Sequence, residues 1–148
     1  MILHLLPGQA RENDTRRLPA QRLFDRGINP LLRLLAQRNG GRFGYLACPF
    51  GVVLPNEVID AGELFSARSL SLEEGRRWSL AIYGGLRRVL PRGCEEVVFY
   101  GSRHTHGHLA AWLVRDGLRV SCPLDGMSDA GRKAWVSEQF KEVNRDEG

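Results

Sequence analysis

Gly101-Ser102-Arg103-His104 directly follows the apolar run Val97-Val98-Phe99-Tyr100, and residues of these types in this order can grip an anion. A glycine between a strand and a helix N-terminus lets backbone N–H groups and the helix dipole face a negative charge, and an arginine adds a planar fork of donors. Two carboxylates, Asp125 and Glu57, stand in turn-like segments. A glycosidic-bond enzyme would use such a group to steady an oxocarbenium-like charge or to position water. Ser102 and Cys48 are the candidate nucleophiles, and His104 is the nearest histidine to either, which makes a pair and not a triad. His104, His106 and His108 would share one face on a strand, but on a helix His106 points away from the other two, so no metal site is expected. Each of these residues also has a plain structural use: Gly101 as a tight turn, Ser102 as a helix cap, Arg103 as a solvated charge, Asp125 and Glu57 as turn formers. The chain has neither G-x-G-x-x-G nor a Walker loop, so nucleotide hydrolysis is not expected and no cofactor is implied.

The elements that must position these groups are legible from periodicity. Ile2 to Leu6, Phe43 to Cys48, Val97 to Gly101 and Leu118 to Cys122 read as four strands, largely apolar and each ending in turn residues. Between them lie helical patterns. Asn29 with Pro30 reads as a helix N-cap and first position, with Leu31, Leu34 and Leu35 as a core stripe. Ser71 and Glu74 have capping-box spacing ahead of a helix that buries Trp78, Ile82, Leu86 and Val89. A helix from about Thr105 to Arg115 turns Leu109, Trp112 and Leu113 inward, and a last one, capped by Ser128 or Asp129, turns Ala134, Trp135 and Phe140 inward. Gln9 to Arg17 reads as a long loop and a lid over the sheet edge, and Asn56 to Ser69 as irregular. Apolar strands alternating with helices predict a three-layer α/β/α fold with a mainly parallel four-stranded sheet, in one domain over residues 1–148. Ligands of such sheets bind beyond the carboxyl ends of the strands.

Composition narrows the classes further. With 148 residues, 43% hydrophobic and 26% charged, the chain can bury a real core. No apolar run reaches the length of a membrane span and the N-terminal stretch lacks a basic leader, so a cytoplasmic protein without a membrane partner is expected. Three cysteines, Cys48, Cys94 and Cys122, form no CxxC pair and imply neither a disulfide framework nor structural zinc. The net charge is +4, and all basic residues but Lys133 and Lys141 are arginine. Arg16, Arg17, Arg22 and Arg26, with Arg87, Arg88 and Arg92, fit contact with a phosphate backbone; interspersed acids fit a solvated face equally.

Four stretches in order resemble a family of small bacterial and phage proteins related to the peroxide-stress protein YaaA. They are Leu18-Pro19-Ala20-Gln21-Arg22-Leu23-Phe24; Phe43-Gly44-Tyr45-Leu46 through Phe50-Gly51-Val52-Val53-Leu54-Pro55; Phe99-Tyr100-Gly101-Ser102; and Pro123-Leu124-Asp125-Gly126-Met127 with Gly131 and Trp135. The chain departs from the family pattern at two turns, with Pro7-Gly8-Gln9 and Ala47-Cys48-Pro49-Phe50-Gly51 in place of polar ones. The resemblance implies an architecture similar to uracil-DNA-glycosylase-like domains and an association with nucleobases or nucleic acid, at the level of fold.

The reading that follows is a binding module for nucleic acid or a nucleobase-containing ligand at the carboxyl edge. Its expected ligand-binding residues are Phe50, Gly51, Gly101, Ser102, Arg103, Leu124, Gly126 and Met127. The alternatives are an enzyme acting on a nucleoside or N-glycosidic bond, glycosylase- or transglycosylase-like, with Asp125 or Glu57 as its carboxylate, and a domain that contacts another protein.

Overall fold

Strand alternation sorts the apolar side chains onto two faces of one sheet, and each face is closed by helices. The computed structural model describes residues 1–38, 40–101 and 103–147, with the side chains at 88, 103–106 and 142–147 outside the description. The strands of the main sheet are β1 (Ile2–Pro7), β3 (Arg42–Ala47), β4 (Gly51–Val53), β6 (Glu96–Phe99) and β7 (Arg119–Ser121), in the order β4-β3-β1-β6-β7. β1 pairs in parallel with β3 and β6, and β6 with β7, whereas β4 folds back antiparallel on β3. The architecture is mixed α/β with a mostly parallel sheet. It has five strands rather than the expected four, because Gly51-Val52-Val53, read as turn punctuation, continues past the bend at Cys48-Pro49 as a hairpin strand. A separate two-stranded ribbon pairs β2 (Arg17–Pro19) with β5 (Val58–Asp60).

Leu6, Tyr45, Ala47, Val98 and Tyr100 point to one face, against Leu23 of α1 (Ala20–Leu23), Leu32 of α2 (Asn29–Arg38) and Val136 of α5 (Asp129–Glu147). Leu3, Leu5, Leu46, Val97 and Phe99 point to the other, against Trp78, Ile82 and Leu86 of α3 (Leu72–Val89) and Leu109 and Leu113 of α4 (Arg103–Arg115). The capping box at the start of α3 forms as read, with Ser71 Oγ accepting from Glu74 N–H and Glu74 accepting from Ser71 N–H. Two stripes are corrected by one position. In α2 the buried apolar residues are Leu32, Leu35 and Ala36, while Leu31 and Leu34 are exposed, and in α5 Val136 is buried while Ala134 is exposed. Short leucine runs and a weakly amphipathic last helix leave the phase of the buried stripe ambiguous. No helix among the described residues is long and apolar enough to cross a membrane.

Candidate functional site at the carboxyl edge

β1, β3 and β6 end together, and the chain leaves them through Pro7-Gly8-Gln9, Cys48-Pro49 and Tyr100-Gly101. Two cavities lie beyond these ends, of about 550 Å³ and 380 Å³. Pro7, Gln9, Asp129 and Arg132 line both, so they form two lobes of one cleft. Both volumes fall in the range of small-molecule sites. Gly8 is required at the rim of the first lobe: a Cβ there would stand 2.8 Å from both Leu46 O and Ala47 Cβ. The Gly8 N–H donates to Leu46 O, which holds the exit of β1 against β3.

The charges around the cleft are mostly positive. Arg68 and Arg132 line the first lobe and Arg26, Arg132 and Lys133 the second, against the single carboxylate of Asp129. Arg132 is half-buried and its Nε donates to Met127 O at 3.3 Å, which fixes the side chain at the seam between the lobes. Ser128 Oγ accepts from Gly131 N–H and so caps α5, whose N-terminus opens on both lobes. Asp129 in the first turn offsets part of that helix dipole.

The walls carry buried polar groups of known state. Burial pushes the Cys48 thiol up, so at neutral pH this wall of the first lobe holds a thiol and not a nucleophilic thiolate. Tyr100, in the second lobe, shares a 2.9 Å hydrogen bond with His4 Nδ1 beneath it. Burial first and the nearby Glu96 charge second push Tyr100 up to about 12. Burial lowers His4, with Glu96 acting weakly the other way, so both partners are neutral at pH 7. Trp78 lines the first lobe, but its Nε1 is sealed from solvent and finds no acceptor among the described residues.

The residues expected from sequence divide sharply. Gly101 and Met127 line the first lobe. Ser102 lies outside the described residues, and Arg103 opens α4 with its side chain outside the description, as are the side chains of His104 and His106. Leu124 is fully buried in the core, beneath the cleft and not on it. Phe50 closes the β3–β4 turn and Gly51 opens β4, and neither they nor Asp125 and Gly126 line either lobe. Glu57 is placed far from the expected edge: it lines a separate hollow with Arg42 and Phe43, at the amino end of β3, because β4 runs antiparallel and carries the chain back. Among the described residues no group of three or more His, Cys, Asp or Glu is arranged to hold a metal.

Sequence reasoning missed Asn29, Arg68, Tyr100, Arg132 and Lys133 as cleft residues, and named Arg26 only among the arginines that fit a phosphate backbone. Asn29 had a signal, the Asn-Pro step, but it reads as a cap. In the fold its Nδ2 donates instead to Pro7 O at 2.8 Å and to Phe24 O at 2.9 Å. Searches of protein-family models, curated proteins and solved structures return no match to this chain.

Proposed function

We propose that the chain is a YaaA-like α/β binding module for a phosphate-bearing, nucleobase-containing ligand, taken up in the two-lobed cleft at the carboxyl edge of a three-layer fold. The observation that carries this reading is the charge of the cleft: four cationic side chains, Arg26, Arg68, Arg132 and Lys133, against one carboxylate. Arginine presented as an oriented fork suits phosphate better than a diffuse surface charge does. The glycosidic-bond reading loses support, since Asp125 and Glu57 do not face the cleft and Cys48 is held as a thiol.

The test is binding of a short labelled single-stranded oligonucleotide, followed by anisotropy across a salt series. Arg132→Ala is expected to weaken binding by about 1–3 kcal/mol, and the logarithm of affinity should fall with the logarithm of salt. Arg77→Ala, on the exposed side of α3 and paired with Glu73 at 2.8 Å, should bind as the wild type does. Salt-independent affinity, or an Arg132→Ala variant equal to wild type, would refute the proposal.

A further inference from the structure

Asn29 is 5% exposed, and its amide orientation is dictated by chemistry. Both neighbours of Nδ2, Pro7 O and Phe24 O, are backbone carbonyls that can only accept, so the NH2 group must face them. Both N–H donors are thereby used, one tying α2 to the end of β1 and the other to the end of α1. The carbonyl Oδ1 is left without a donor among the described residues. Asn29 lines the second lobe, and with both N–H donors engaged Oδ1 is the polar side-chain atom it has left to offer a ligand there. A buried amide held by two hydrogen bonds in the wall of a cavity, with its acceptor uncommitted, is a preorganised reader of an N–H group.

The rest of the lobe completes the ligand. Tyr100, Pro7 and Ile28 give it apolar and aromatic wall, and Arg26, Arg132 and Lys133 supply positive charge. Resting on the binding reading above, we propose that Asn29 is a specificity-determining residue of the cleft. The second lobe seats a planar ring bearing an N–H donor, which Asn29 Oδ1 accepts, while the phosphate of the same molecule meets Arg132. The ligand is of mononucleotide size, since a cavity of about 380 Å³ holds one ring and its phosphate and not a duplex.

Two matched pairs of probes test this on the unmodified protein: adenosine against purine riboside 5′-monophosphate, and uridine against N3-methyluridine 5′-monophosphate, with ribose 5-phosphate as the ringless reference. Within each pair the second member lacks the N–H of the first. Calorimetry should show the N–H-bearing member of at least one pair binding about tenfold more tightly. The Asn29 side-chain NH2 signals in an ¹⁵N spectrum should shift with that member and not with ribose 5-phosphate. Asn29→Ala should erase the difference within the pair; should that variant fail to fold, the probe pairs and the amide signals decide alone. Equal binding within both pairs overturns the assignment to Asn29, and the binding reading still stands if Arg132→Ala weakens ribose 5-phosphate. Oligonucleotide binding with no monophosphate binding also overturns the assignment alone. Absence of both kinds of binding removes the assignment and the functional reading together.

Discussion

At the scale of single residues, the decisive groups are those whose neighbours fix their chemical state. His4 is 3% exposed, stacked on Tyr100, with Gly41 packed so close that a Cβ there would lie 2.7 Å from the imidazole Cδ2. Burial keeps its folded pKa below the ordinary 6.5. Below that value the unfolded chain takes up a proton that the folded chain refuses, so stability is complete above about pH 6.5 and declines as the pH falls toward the lowered folded pKa. Urea unfolding at pH 7.5 and at pH 5.5 should show this loss in the wild type and a smaller one in His4→Phe. Gly101 and Met127 could be located from sequence because turn residues after an apolar strand mark a sheet edge. Asn29 could not, because its role depends on two carbonyls, Pro7 O and Phe24 O, that reach it only in the folded chain.

At the scale of elements, the four long apolar runs became β1, β3, β6 and β7 with ends within about two residues of the reading, and the capping box set the start of α3. What stayed hidden were β2, β4 and β5. Each is three residues long, and unlike β7 none sits in a longer run that alternates apolar and polar residues as Leu118 to Cys122 does. The misplacement of Glu57 follows from missing β4, since a chain that turns back on β3 delivers its next residues to the opposite end of the sheet. Close approach of elements gives a further expectation. Gly8→Ala would drive a methyl group into the backbone of β3, a shift that costs about 1–3 kcal/mol. Gly84→Ala on α3 meets open space and should instead gain up to about 1 kcal/mol from helix propensity. Urea midpoints of the two variants should move in opposite directions.

At the scale of the whole molecule, a net charge of +4 stated only the sign of a partner; the fold decides that Arg26, Arg68, Arg132 and Lys133 face one cleft. The sheet separates two buried clusters, and substitutions in different clusters should act independently. Ile82→Val is expected to cost about 0.5–1.5 kcal/mol and Leu32→Ala about 2–5 kcal/mol. The double variant should equal the sum within about 0.5 kcal/mol by denaturant unfolding. The place of β1 in the middle of the sheet also bears on how the protein is made. Leu3 lies opposite Arg42 on one side and Val97 on the other, so β1, made before both its neighbours, gains the second only after roughly ninety more residues have been added. At about 5–20 residues per second that interval lasts several seconds. During it the Leu3-His4-Leu5-Leu6 strand lacks one flanking strand and the share of the cover that α5 gives one face and α4 the other. A fragment ending before Val97 is therefore expected to aggregate where the whole chain does not, which light scattering of the two would show.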